Sequence, residues 1–185
     1  MTRVGWVVLA LILLAAGIFA SLLRVGGTAP APAPRPAPPP GLIVPVAGVD
    51  RAQLTDTWGQ ARSEGREHHG TDIVAPSRTP VLAAAAGTVE KLFESGRGGT
   101  ALYERSPDRR WTFYYAHLAG YAPGLREGEP VRAGQLLGYV GDTGDAGAGN
   151  FHLHFGLTRT TPDQHWYQGD DVNAFPFLRT GQALP

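Results

Sequence analysis

Three patterns of apolar and polar positions follow one another along this chain. The first is Val4 to Leu23, twenty residues without a charge, bracketed by Arg3 and Arg24. That is close to the roughly 20 apolar residues that cross a bilayer as a helix. Trp6 stands near one end, where an indole suits the membrane interface. Residues 1–24 are therefore expected to be a membrane-spanning signal anchor. A cleaved signal peptide is the alternative, cut after Ala20, but Ile18 is larger than that motif prefers and Leu22 and Leu23 prolong the apolar run. One arginine on each side sets almost no orientation. The reading adopted puts a short tail inside and the bulk of the chain outside the cytoplasm.

The second pattern is Thr28 to Pro40, TAPAPAPRPAPPP, with proline at about every second position. Such a stretch can form neither helix nor central strand and favours extended polyproline II. At roughly 3.1 Å per residue it spans on the order of 40 Å, a semi-rigid spacer. The linker is placed at residues 25–41, followed by a domain over 42–178 and a tail over 179–185.

The third pattern is short apolar or alternating runs cut by glycine and turn residues, which predicts strands. The runs are Pro80 to Ala84, Thr88 to Glu94, Ala101 to Arg105, Trp111 to Leu118, Val131 to Val140 and Phe151 to Thr158. Ser106-Pro107-Asp108-Arg109 predicts a hairpin turn between the third and fourth. No stretch carries a long, capped helical period; short helix is expected at most around Arg51 to Gly59. The fold class expected is all-β, a compact antiparallel domain large enough to bury its own core.

Composition narrows the chemistry. Sixteen basic and sixteen acidic side chains balance, and no basic block suggests nucleic acid as a partner. There is no cysteine, so any metal site must be built from His, Asp and Glu. No serine sits in a Gly-x-Ser-x-Gly elbow, and the glycines of GYVGDTGDAGAG do not form a phosphate-binding fingerprint.

Five of the six histidines fall in three strings: His68-His69-Gly70-Thr71-Asp72, Tyr115-Ala116-His117-Leu118 and Phe151-His152-Leu153-His154-Phe155. Alternate residues of a strand share a face. His152 and His154 thus point together, with Phe151, Leu153 and Phe155 behind them. The same parity puts Trp111, Phe113, Tyr115 and His117 on one face, and His117 alone reads as an ordinary strand histidine. His68 and Asp72 share a side and His69 does not, so His68 is the better ligand candidate. Spacing leaves open which of His152 and His154 is a ligand. A His/His/Asp set suits zinc with a fourth position open to water.

These strings, with Ala75-Pro76, Thr79-Pro80-Val81, Gly87-Thr88-Val89, Val131-Arg132-Ala133-Gly134-Gln135, Gly138-Tyr139-Val140-Gly141 and Thr143-Gly144, resemble the lysostaphin and LytM type of zinc metallopeptidase. The resemblance runs from about Val44 to Leu178. It implies a duplicated hybrid motif, an antiparallel barrel-sandwich sheet holding a groove. It also implies one zinc ion per domain held by His68, Asp72 and His154, with His117 and His152 as general base and transition-state stabiliser. Peptide cross-links of bacterial peptidoglycan are the implied substrate, and the expected location is the cell membrane, single-pass, with the domain outside the cytoplasm. The alternative is a non-catalytic relative that activates another wall hydrolase; such relatives typically lack ligands, and this chain lacks none. Trp58, the loop Gly144 to Asn150 and Phe151 depart from the family's common pattern. His165-Trp166-Tyr167 has no family role and reads as a loop packing on the sheet.

Overall fold

The computed structural model describes residues 41–62 and 65–185. The expected membrane span and the linker as far as residue 40 lie outside the described residues. Among the described residues no helix is long and apolar enough to cross a membrane.

Among the described residues nine strands form one sheet: β1 (Thr71–Val74), β2 (Pro80–Leu82), β3 (Gly87–Ser95), β4 (Gly99–Arg105), β5 (Trp111–Tyr121), β6 (Pro130–Val131), β7 (Leu136–Val140), β8 (His152–Arg159) and β9 (Asp170–Val172). The main path is β1-β8-β5-β4-β3-β6; β7 joins β5 and carries β2, and β9 extends β8. Every pairing is antiparallel, as the strand pattern predicts. The β4–β5 hairpin turns where expected. Asp108 Oδ1 accepts from Ser106 Oγ at 2.6 Å and from the Arg110 N–H at 3.1 Å.

Three local expectations change. Val131 to Val140 is two strands, because a turn at Arg132–Gln135, with Gly134 at φ 82°, separates β6 from β7. The helix expected around Arg51 to Gly59 is only a 3-10 turn over Arg51–Gln53. A helix that the pattern did not suggest, α1 (Phe175–Thr180), crosses position 178. Its end is closed by Gly181, whose positive φ of 72° lets its N–H reach Phe177 O at 2.8 Å. Arg51 ties this end to the start of the domain, donating to the carbonyls of Leu42 and Leu178, and Leu184 still packs on the core.

The core lies behind the central strands. Trp111, Phe113 and Tyr115 of β5 pack with Leu153, Phe155 and Leu157 of β8, all at most 4% exposed. Each such side chain contributes about 1.5–3 kcal/mol on burial. The core thereby holds rigid the two strands that carry the histidines on their other face.

One acid lies inside this core. Glu104 is wholly buried; its Oε2 accepts from the Tyr115 hydroxyl at 2.7 Å, and that hydroxyl accepts from the Ala84 N–H at 2.8 Å. Its Oε1 has no partner, and Gly87 leaves it room, since a Cβ there would lie 2.4 Å away. Burial pushes Glu104 up to about 8 against the pull of the Tyr115 hydrogen bond. Between the ordinary value of 4.5 and about 8 the unfolded chain gives up a proton that the folded chain keeps. Stability therefore falls with rising pH across that window and levels off above it, at up to about 1.4 kcal/mol per pH unit. Denaturant unfolding of wild type and Glu104→Gln at pH 5.5 and 7.5 should show wild type losing up to about 3 kcal/mol relative to the variant. A difference that does not change with pH would mean that Glu104 is already ionised in the fold.

Candidate metal centre and active site

Asp72 and His154 face each other directly across the β1–β8 ladder, and His154 stands opposite Ala116 on its other side in β5. Small Ala116 and the bare backbone of Gly156 keep the surface beside them low. His68 reaches the same place from a hairpin. Gly59 N–H donates to His68 O at 2.8 Å and His68 N–H to Gln60 O at 2.9 Å, which places the imidazole over the start of β1. Gly70 lets this approach close, because a Cβ there would lie 2.5 Å from His154 Cε1.

The three side chains meet on one carboxylate oxygen. Asp72 Oδ1 lies 3.0 Å from His68 Nε2 and 3.1 Å from His154 Nδ1, and those two nitrogens are 2.8 Å apart. Such separations sit just inside the edge of about 3.3 Å expected of a tetrahedron with zinc–ligand bonds near 2.0 Å. Among the described residues this is a group of His, Asp and Glu atoms close enough to hold a metal ion. The donor set of two imidazoles and a carboxylate fits zinc. His68 Nδ1–H donates to Thr57 O at 2.7 Å, so Nε2 keeps its lone pair for the site. The Thr57 hydroxyl accepts from the Asp72 N–H at 2.9 Å, so one residue orients both groups.

Burial alone would raise the Asp72 carboxyl, but hydrogen bonds and charge from His154 and His68 outweigh it and hold it well below the usual carboxylate range. Burial lowers His154, opposed by its bond to Asp72. The two shifts favour a carboxylate at Asp72 and a neutral imidazole at His154, the forms that bind a metal.

His117 and His152 stand beside this cluster, their rings 4.9 Å apart, and His152 Nε2 is 3.8 Å from Asp72 Oδ1. His152 Nδ1–H donates to Asn150 O and His117 Nδ1–H to Thr143 O, each at 2.8 Å, which turns both Nε2 atoms to the groove. Burial also lowers His117, opposed by the Thr143 carbonyl. Strand parity had grouped His117 with Trp111, Phe113 and Tyr115; the structure puts it on the opposite face. A β-bulge does this: Thr100 pairs with Leu118 and Leu102 with Tyr115, so β5 has an extra residue, and His117 takes φ 61°. There β5 also exchanges β8 for β7 as its neighbour.

His69 lies half-exposed, stacked on Trp58 with centroids 5.0 Å apart and paired with Asp171 at 3.1 Å, outside the cluster as its parity predicts. The loop after β8 packs on the sheet as expected, with Trp166 against Phe93 and Tyr103 at 5.1 and 4.6 Å. It also lines the groove, which has a volume of about 640 Å³ and contains all five histidine and aspartate candidates. Sequence reasoning missed Thr57, Arg62 and Tyr114. Arg62 Nη2 donates to Asp72 Oδ2, and Tyr114 sets its ring edge-on to His154 at 5.9 Å. No residue spacing marks the first two; Tyr114 could have been read from its alternation with Ala116.

Comparison with known proteins agrees with this geometry. Residues 66–173 match peptidase family M23. The chain is 36% identical over 130 residues to the L-Ala–D-Glu endopeptidase of Bacillus subtilis, covering 66% of this chain and 38% of that protein. It is 37% identical over 90 residues to the peptidoglycan DD-endopeptidase ShyC of Vibrio cholerae, covering 49% of this chain and 20% of that one. The chain thus spans well under half the length of these relatives. Among solved structures, the catalytic domain of lysostaphin from Staphylococcus simulans superposes with a TM-score of 0.58 at 27% identity, over 69% of this chain and 92% of that domain. A putative glycyl-glycine endopeptidase LytM from Ruminococcus gnavus gives 0.56 at 35% identity, over 69% and 53%. With the motif strings, the antiparallel sheet and the His/Asp cluster in agreement, the chain belongs to peptidase family M23, the lysostaphin and LytM type of metallopeptidase.

Proposed function

We propose that this chain is a zinc-dependent endopeptidase that hydrolyses peptide bonds in the cross-linked peptides of bacterial peptidoglycan. His68, Asp72 and His154 are its metal ligands, and His117 and His152 are its proton-handling residues. The observation that carries the reading is the convergence of all five side chains on one groove, with the Nε2 atoms of His117 and His152 aimed into it. The relatives named as an L-Ala–D-Glu endopeptidase and a peptidoglycan DD-endopeptidase support the substrate class. The complete ligand set counts against a non-catalytic activator.

Held by His68, Asp72 and His154, a zinc ion would supply an acidified water and a Lewis acid for the scissile carbonyl. The protein's part is positional. One imidazole, locked by its backbone carbonyl, takes the proton of the attacking water at Nε2. That same imidazole then gives the proton to the leaving amine, while the other, in its doubly protonated form, steadies the developing oxyanion through its Nε2–H. The rigid sheet behind them keeps this arrangement ready before substrate arrives.

The N-terminal apolar segment fits this role as a single-pass anchor, with residues 25–41 as a spacer that lets the domain reach the wall outside the cytoplasmic membrane. The supports are its length, its lack of charge and the proline alternation that follows.

His154→Ala should lose bound zinc and hydrolysis together, measured by metal analysis and by muropeptides released from purified peptidoglycan. Zinc-free His154→Ala with full activity would overturn the mechanism. His117→Ala should keep its zinc while turnover drops by about 10²–10⁴-fold, the usual worth of a positioned acid–base group. Equal turnover in the variant would remove His117 from the proton-handling pair.

A further inference from the structure

The two oxygens of Asp72 have different partners. Oδ1 faces His68 Nε2 and His154 Nδ1, and His152 Nε2 lies beyond them at 3.8 Å. Oδ2 is taken by Arg62 Nη2. Arg62 comes from the hairpin that delivers His68: its own N–H donates to Arg66 O at 2.8 Å, and the Ala61–Glu67 bridge closes the pair below. One local element therefore supplies a candidate ligand and a cation for the neighbouring candidate ligand. The guanidinium lies at the groove wall, with about a third of its side chain exposed.

We propose that Arg62 is a positioning residue that holds Asp72 by Oδ2, so that Oδ1 alone is presented to the metal. This rests on the metal reading above. A carboxylate offers either one oxygen or two to a cation, and rotation about its last bond interconverts the two modes. A catalytic zinc site needs one position free for water, and a second carboxylate oxygen would compete for it. The guanidinium occupies that second oxygen with a charge-assisted hydrogen bond, which an arginine fork does well and a lysine ammonium less directionally. Among the described residues no other side chain does this at Asp72, and Thr57 holds only the backbone N–H.

The opposing effect is plain electrostatics. A cation beside the site repels a dication, so if charge were all that Arg62 contributed, removing it would tighten metal binding. The sign of the change decides between orientation and charge. Arg62→Met keeps much of the length without charge or donor; Arg62→Lys keeps the charge and loses the fork.

The test uses the full chain stripped of metal. Zinc affinity is measured by competition with a chromophoric chelator, and the visible spectrum is recorded after loading with cobalt(II). Circular dichroism follows the thermal midpoint of each metal-free form. Arg62→Met should bind zinc about tenfold more weakly, the usual cost of losing a group that orients a ligand. Its cobalt bands should weaken as the coordination number rises, and Arg62→Lys should fall between it and wild type. Equal or tighter zinc binding by Arg62→Met, with an unchanged cobalt spectrum, overturns the proposal. So does a variant that merely melts lower without metal while its bound cobalt looks like wild type. If wild type itself takes up no cobalt or zinc, the metal reading falls, and the role of Arg62 falls with it.

Discussion

The pairing of β1 with β8 is the constraint on which the rest depends. Its register sets Asp72 opposite His154 and Val74 opposite His152. Directly opposed residues in an antiparallel pair hold their Cβ atoms about 4.5–5.5 Å apart, the right reach for two short ligands to share one ion. A slip by a single residue would turn Asp72 into the core and bring Ile73 out. Ile73, Leu153 and Phe155, each at most 2% exposed, make that slip costly. The apolar face thus specifies the polar one.

The second device works against regular sheet geometry. His117 reaches the groove only because β5 carries a bulge and this residue accepts a positive φ, a conformation that costs a non-glycine side chain about 1–3 kcal/mol. The neighbouring backbone offsets the strain. His117 N–H donates to Gly98 O at 2.8 Å, and its ring is tied to Thr143 O. The Thr143 hydroxyl donates to Leu118 O at 2.9 Å and accepts from the Thr100 N–H at 3.0 Å. Thr143 thus stitches the loop after β7 to both strands of the bulge. Thr57 does the corresponding work on the other side of the site. Two threonines, each using a carbonyl and a hydroxyl, hold the candidate metal side and the candidate proton-transfer side in place.

Much of this was legible in the chain. Alternation around Trp111–Tyr115 and Leu153–Phe155 marked the core strands, and parity separated His68 from His69 and paired His152 with His154. What parity could not reach was any feature produced by a break in the ladder. The bulge at His117 leaves no mark in the alternation, because Ala116 and Leu118 fit either face. Thr57 and Arg62 act through contacts 15 and 10 residues away in sequence, with no periodic signature. The helix at Phe175–Thr180 is too short to show a hydrophobic period, and the two-residue β6 too short to show alternation. The resemblance to a family supplied the division into ligands and proton-handling residues that spacing alone had left open.

The groove lining combines aromatic and charged side chains in a way that follows from the fold. Toward β4 and β3 the wall is aromatic: Tyr114 stacks on Tyr103 at 4.5 Å, Tyr103 meets Trp166, and Trp166 meets Tyr167 at 5.1 Å. The loop bearing these last two residues is anchored from below by Arg105, only 2% exposed, which donates to Thr160 Oγ1 at 2.9 Å and Gln164 O at 3.1 Å while pairing with Glu90. This buried cation thus ties the loop to β3 and β4 of the sheet. Arg62, Arg66 and Asp145, on loops between strands, add charge to the lining of the same groove. The sheet carries His117, His152, His154 and Asp72, the hairpin before β1 carries His68, and the other connections supply Trp166, Tyr167 and Asp145 to the walls. Substitutions in the connections other than the His68 hairpin can therefore reshape what the groove accepts while the register of β1 and β8, and with it the five-residue cluster, stays intact.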